Sequence, residues 1–204
     1  LMYACARGLT AGMKKFKTIF GKPPFERVFE FHEKTLGIVG LGRIGSTLAT
    51  KAVHLFKKVI AHDPYVPEAI FHQHAVERVS YEQLLAESDV ISFHCNLTDE
   101  TREMLNSAAF LKLLKQPIII NTARGSIIDL QALINAIDQS LIHSAGIDVF
   151  NSEISDEIPE ELVRHPGIIA TGHYAWYSEK SLIELQRRAA DNMVRMLKGK
   201  HIED

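Results

Sequence analysis

The chain has 204 residues, of which 46% are hydrophobic, and its formal net charge is −2. This length is sufficient for one large α/β domain, or for one domain with a small appendage. The near-neutral charge argues against nucleic acid as the main ligand. No apolar stretch reaches the length of a membrane span, so no membrane partner is expected. The two cysteines, Cys5 and Cys95, show no pairing pattern, which is typical of a reduced, cytoplasmic protein.

Residues 1 to about 20 have the apolar spacing of a leading helix, and the glycine and prolines of residues 21–24 end it. A natural chain rarely begins inside such a run. We therefore expect the 204 residues to be part of a longer protein.

The stretch from Thr35 to Asp63 predicts a dinucleotide-binding unit. A short apolar run is followed by a Gly-x-Gly-x-x-Gly turn, a helical pattern, and a second buried run that ends in the acid. The alternative is a plain glycine turn, but the flanking elements and their order favour cofactor binding. The turn residues expected to contact the cofactor or to shape its site are Gly40, Gly42, Arg43, Ile44 and Gly45.

Asp63 predicts which dinucleotide is bound. A carboxylate at the end of the second strand accepts hydrogen bonds from the ribose hydroxyls of NAD and repels the 2′-phosphate of NADP. Residues 64–66 supply no arginine that could hold such a phosphate. The sequence therefore favours NAD as the cofactor.

Apolar runs alternate with helical patterns through the rest of the chain. Strands are predicted at 89–93, 117–121, 142–148 and 167–170, and helices at 80–87, 107–114, 130–140 and 178–198, with an acidic loop near 153–161. Nearly continuous apolar strands that alternate with helices indicate a parallel sheet covered on both faces. We predict an α/β fold, a doubly wound Rossmann-type NAD-binding domain that spans residues 1–204.

Three ionisable residues follow separate predicted strands, where such sheets bind ligands. Arg124 could orient a carbonyl, His173 could deliver a proton, and Glu153 could raise the pKa of that imidazole. The simpler interpretations are a surface arginine, an acid in a solvated run and an exposed histidine. One histidine pair, at positions 72 and 74, has a spacing that resembles a metal site but lacks the further ligands, so no metal is predicted.

Three segments resemble the signatures of the D-isomer-specific 2-hydroxyacid dehydrogenases: residues 35–45, 121–125 and 146–150. The resemblance covers nearly the whole chain and implies the NAD-binding domain of an enzyme that transfers hydride between NAD(H) and a 2-hydroxyacid or 2-ketoacid. It also implies that most of a substrate domain lies outside these residues, and that the chain forms a homodimer.

The resemblance assigns a role to each candidate residue. Arg124 would bind the substrate, Glu153 would be the partner acid, and His173 would be the acid/base beside the nicotinamide. Asp148 would bond the nicotinamide carboxamide. The remaining cofactor contacts that the resemblance implies are Thr122 and Ala123 at the nicotinamide ring, and Cys95, Asn96 and Thr101 along its ribose.

Two alternatives stay open within the family. Residues 173–178 look most like the C-terminal-binding-protein corepressors, in which the tryptophan contacts substrate, so Trp176 is either a pocket wall or a packed or interface aromatic. An NAD(H)-sensing module of that kind is the alternative to an enzyme. Formate dehydrogenase is disfavoured because that branch carries glutamine where Glu153 stands.

Overall fold

The computed structural model describes residues 1–9, 30–151 and 160–202. The chain divides into two compact units, Leu1–Gly172 and His173–Asp204. The extent of the NAD-binding domain over all 204 residues stays a prediction. In the described part of the chain, no helix is long and apolar enough to cross a membrane.

The first unit contains the predicted doubly wound sheet. Its described strands are β1 Thr35–Val39, β2 Lys58–His62, β3 Glu77–Arg78, β4 Val90–Phe93, β5 Ile118–Asn121, β6 Ser144–Ile147 and β7 Ile168–Ala170. They lie in the order β3-β2-β1-β4-β5-β6-β7, and every pair is parallel. The order reverses between β1 and β4, so the loops after these two strands flank the point where such sheets bind ligands.

Both faces of the sheet are covered, as the apolar strands predict. Along β5, Ile118 and Ile120 belong to one buried cluster, whereas Ile119 belongs to the other. Successive side chains of a strand point to opposite faces, so a strand buried on both faces needs an uninterrupted apolar run. That is why these strands show no alternation of polar and apolar residues.

Helices connect the strands. In the first unit the described helices are α1 Met2–Ala6, α2 Arg43–Ala52, α3 Glu68–Gln73, α4 Tyr81–Glu87, α5 Ser107–Phe110, α6 Leu130–Asp138 and α7 Glu160–Arg164, with 3₁₀ turns at Phe31–Glu33 and Gly125–Ile127. The capping residue predicted for α4 is present, since the Ser80 hydroxyl accepts a hydrogen bond from the backbone of Gln83 at 3.1 Å.

Several predicted boundaries were wrong. The leading helix α1 ends at Ala6, before Gly8 adopts a φ of +56°, and residues 10–20 of the predicted helix lie outside the described residues. Helix α5 is one turn long, and part of the predicted acidic loop forms α7. The short elements α3 and β3 were not predicted, because six and two residues are too few to show a period.

The second unit contains the predicted C-terminal helix, α8 Glu179–Leu197. A capping box begins it, in which the side chains of Ser178 and Ser181 each bond the other's backbone N–H. None of its residues is buried.

Candidate cofactor and substrate site

The glycine turn after β1 has the conformation that a dinucleotide site requires. Gly40 has a φ of +92°, and a Cβ there would lie 2.5 Å from the backbone nitrogen of Cys95. A Cβ at Gly45 would lie 2.0 Å from the carbonyl oxygen of Gly40. Only glycine fits either position, so the turn, the helix that follows it and the loop after β4 can pack at backbone distance.

Gly42 differs from its two neighbours in the motif. A Cβ at Gly42 would meet no atom within 4 Å, so this backbone faces open space. Gly42 is the N-cap of the ten-residue helix α2, whose first N–H groups have no partner within the helix. An open backbone at the start of a helix suits a pyrophosphate, because the helix dipole and these N–H groups both favour negative charge. These residues therefore fit a dinucleotide.

The carboxylate of Asp63 is held at the end of β2 by three backbone N–H groups. One oxygen accepts from Leu41 at 2.8 Å, and the other accepts from Tyr65 at 3.0 Å and from Val66 at 3.2 Å. The bond to Leu41 ties the acid directly to the glycine turn. The side chain is thus fixed beside the turn that we expect to approach the pyrophosphate.

A cleft of about 550 Å³ opens between the loops that follow β1, β2 and β4. It brings together most of the residues predicted to bind the cofactor: Gly40, Gly42, Arg43, Ile44, Asp63, Cys95, Asn96 and Thr101. Sequence reasoning missed other lining residues, including Pro64, Tyr65, Val66, His94 and Met104. Pro64, Tyr65, Val66 and His94 lie within a few residues of the end of a buried strand, which was a usable signal, whereas Met104 lies further along the loop after β4.

Tyr65 and Glu100 meet across the mouth of this cleft. The Tyr65 hydroxyl donates a hydrogen bond to the Glu100 carboxylate, joining the loop after β2 to the loop after β4. This bond, with the charge of the carboxylate, raises the pKa of Tyr65. The two loops are therefore tied together at their exposed ends.

The loop after β4 presents polar groups that are mostly engaged with one another. The Thr101 hydroxyl donates to the Asn96 carbonyl at 2.7 Å and accepts from the backbone of Thr98 at 2.8 Å, so it shapes the loop. Burial raises the pKa of the Cys95 thiol to about 11. At neutral pH this thiol is protonated and is not a nucleophile.

The loop after β5 carries Arg124 and is shaped by a buried asparagine. The Asn121 amide donates to the Arg124 carbonyl at 2.9 Å and accepts from the backbone of Ala123 at 3.0 Å. A Cβ at Gly125 would lie 2.2 Å from the carbonyl carbon of Phe150, so this loop packs directly against the loop after β6. The Arg124 side chain is exposed at the carboxyl edge of the sheet.

Asp148 follows β6 and is 1% exposed. Its backbone N–H donates to the Asn121 carbonyl at 3.0 Å, and its carboxylate accepts from the Thr171 hydroxyl at 2.5 Å. Sequence reasoning missed Asn121 and Thr171, although a polar residue at the end of a buried apolar strand was a usable signal. The strand-end loops thus bring Thr122, Ala123, Arg124 and Asp148 to one edge of the first unit.

The other predicted catalytic residues lie outside the described residues or in the second unit. Glu153 lies outside the described residues. His173 begins the second unit with a φ of +61°, and its side chain is exposed. Trp176 lies in the same unit, half exposed, and packs edge-on against Tyr177 at 5.5 Å between ring centroids. The roles of these residues stay predictions.

The parallel sheet, the glycine turn and the acid at the end of β2 together define an NAD-binding domain of the Rossmann type. The family model of the D-isomer specific 2-hydroxyacid dehydrogenase NAD-binding domain matches residues 1–175. The chain belongs to this family.

Comparison with known proteins agrees with this assignment. The hydroxypyruvate reductase of Thermotoga maritima is 37% identical in an alignment over 202 residues that covers 95% of this chain and 61% of that protein. The structure of D-lactate dehydrogenase from Escherichia coli superimposes with a TM-score of 0.85 at 31% identity and covers 98% of this chain. The D-lactate dehydrogenase of Lactobacillus jensenii, solved with NAD+, also gives 0.85, at 26% identity and 98% coverage.

The chain spans 61–64% of the length of these three relatives, since it covers 63% of the E. coli and 64% of the L. jensenii structure. All three are named as reductases or dehydrogenases. The comparisons therefore favour the dehydrogenase hypothesis over the corepressor one.

Proposed function

We propose that this chain is the cofactor half of an enzyme that interconverts a 2-ketoacid and a 2-hydroxyacid. One observation carries the proposal: the open cleft beside Gly42 and Asp63 lies at the same edge of the sheet as Arg124 and Asp148. This arrangement puts an exposed cation next to the place where a dinucleotide would extend across the strand ends. It suits a substrate that carries both a carboxylate and a carbonyl.

NADH held in this cleft would supply the hydride that reduces the carbonyl carbon of the ketoacid. The residues of the chain bind and orient the reactants and move one proton. Arg124 would hold the substrate carboxylate and polarise the carbonyl oxygen with its charge. His173 would give a proton to that oxygen, and Glu153 would keep the imidazole protonated. The reaction consumes one carbonyl group, one hydride and one proton, and it forms one hydroxyl group.

Asp148 is proposed to accept a hydrogen bond from the nicotinamide carboxamide. Its burial and its fixed backbone support this role, because a ligand held by one carboxylate needs that carboxylate in a single orientation. The proposed substrate is small and acidic, in keeping with the names of the relatives. We also propose a cytoplasmic location, which the two free cysteines support.

The proposal is tested by following NADH absorbance with a panel of 2-ketoacids, hydroxypyruvate and pyruvate among them. The assay should use the full-length protein, with any segments that it has beyond these residues. We expect Arg124→Ala to lower kcat/KM for the preferred ketoacid at least a hundredfold, with less than a threefold change in the Kd of NADH. Equal turnover by the parent and the variant would refute the role of Arg124. The absence of turnover with every ketoacid, despite tight NADH binding, would favour the sensing module instead.

We further propose that the chain forms a two-fold homodimer through its first segment. Tyr3 is 58% exposed and Leu9 is 51% exposed, which leaves apolar surface for a second copy to cover. Sedimentation at micromolar concentration should give twice the monomer mass. A monomer at that concentration would contradict the proposal.

A further inference from the structure

The sheet register places Thr171 opposite Asp148. Strands β6 and β7 are parallel, and their last paired residues are Ile147 and Ala170. Thr171 and Asp148 are the next residue on each strand, just past the carboxyl edge. The backbone N–H of Thr171 donates to the Ile147 carbonyl at 2.9 Å, so this position is fixed by the neighbouring strand.

The two side chains are joined by a hydrogen bond. The Thr171 hydroxyl donates to one carboxylate oxygen of Asp148 at 2.5 Å. Threonine branches at Cβ and has few rotamers, so its hydroxyl is a rigid donor. Asp148 is buried, so rotation of its carboxylate away from Thr171 would break this bond at a carboxylate that water reaches poorly.

We infer that Thr171 is a positioning residue, which holds the Asp148 carboxylate in the orientation that receives the nicotinamide carboxamide. This inference rests on the role proposed above for Asp148. Thr171 would not touch the cofactor. It would set the plane of the carboxylate, and so determine where the nicotinamide ring lies relative to the substrate.

The test compares two ligands, NADH and ADP-ribose. ADP-ribose carries the adenosine, the pyrophosphate and the second ribose but lacks the nicotinamide. We expect Thr171→Val to raise the Kd of NADH about tenfold and to leave the Kd of ADP-ribose within about twofold. Thr171→Ser restores the hydroxyl and should restore NADH affinity. Thr35→Val is the matched control, since Thr35 is a buried threonine at the start of β1, on the edge of the sheet opposite to the cleft.

A general loss of structure would raise both Kd values in parallel, and that result would overturn the inference. Thr171→Ala provides a second variant without the hydroxyl if the valine variant fails to fold. Asp148→Ala separates this inference from the proposed function. If Asp148→Ala leaves the ratio of the two Kd values unchanged, the role of Asp148 is wrong and the inference falls with it. If Asp148→Ala changes the ratio and Thr171→Val does not, only the inference is wrong.

Discussion

The carboxylate of Asp63 accepts a hydrogen bond from the backbone N–H of Leu41 at 2.8 Å. Twenty-two residues separate the two in sequence, and the bond joins the end of β2 to the glycine turn after β1. The acid predicted to select the cofactor therefore also holds the turn predicted to bind the pyrophosphate. Substitution of Asp63 should affect both cofactor choice and stability.

The first prediction concerns cofactor choice. The parent should bind NADH at least tenfold more tightly than NADPH, which corresponds to about 1.4 kcal/mol. Asp63→Asn should reduce that preference to about threefold or less, because the amide does not repel the 2′-phosphate. Titration of both cofactors by nucleotide fluorescence measures the ratio. Asp99→Asn makes the same change in an exposed acid outside the cleft lining and should leave the ratio unaltered.

The second prediction contrasts two glycines of one motif. Gly45→Ala should lower the free energy of unfolding by about 2 kcal/mol or more, because its Cβ would overlap the Gly40 carbonyl at 2.0 Å. Gly42→Ala should cost less than about 1 kcal/mol, since its Cβ meets nothing, yet it should weaken NADH binding at least tenfold. Urea denaturation and NADH titration give the two quantities. Unchanged NADH affinity in Gly42→Ala would show that the phosphates do not pass there.

The third prediction concerns the loop that carries Arg124. Asn121→Ala removes two hydrogen bonds from a residue that is 1% exposed. We expect a loss of about 2 to 3 kcal/mol in the free energy of unfolding. In the active protein, the KM for ketoacid should rise more than the Kd of NADH. Asn135→Ala, on the exposed side of α6, is the control and should cost less than about 0.5 kcal/mol.

The fourth prediction concerns the pH dependence of stability. Burial lowers the pKa of His94 to about 4, from an ordinary value of 6.5. Between these values the unfolded chain binds a proton that the folded chain does not. The neutral His94 side chain therefore makes its full contribution to the free energy of unfolding above pH 6.5. This contribution, about 3 kcal/mol at most, is lost as the pH falls toward 4.

Urea denaturation at several pH values between 7.5 and 4 tests this slope. His94→Gln removes the titrating group, so the variant should lose less stability than the parent over the same range. His54→Gln, at an exposed position just after α2, should follow the parent curve. Parallel curves for the parent and His94→Gln would mean that folding does not lower the pKa of His94.

The fifth prediction concerns Glu153, whose role rests on family resemblance. In the active protein, Glu153→Gln should leave the protonated imidazole of His173 less stabilised, because a neutral amide carries no charge to balance it. Ketoacid reduction, which needs the protonated imidazole, should then decline at lower pH than in the parent. A pH–rate profile measures the shift. An unchanged profile would assign the partner acid to another position, for instance Glu157.

The sequence by itself determined the fold class, the cofactor and the family. Each depends on local order: a glycine turn between a strand and a helix, an acid at the end of the next strand, and apolar runs that alternate with helical patterns. The sequence did not predict the short elements α3 and β3, because they have too few residues to show a period. Only the tertiary structure decided which side chains hold the site in shape. Three sets of contacts require a particular strand register or loop path: Asp63 with Leu41, Asn121 with Ala123 and Arg124, and Asp148 with Thr171. Strand register is set by packing across the whole sheet, and no short segment of sequence specifies it.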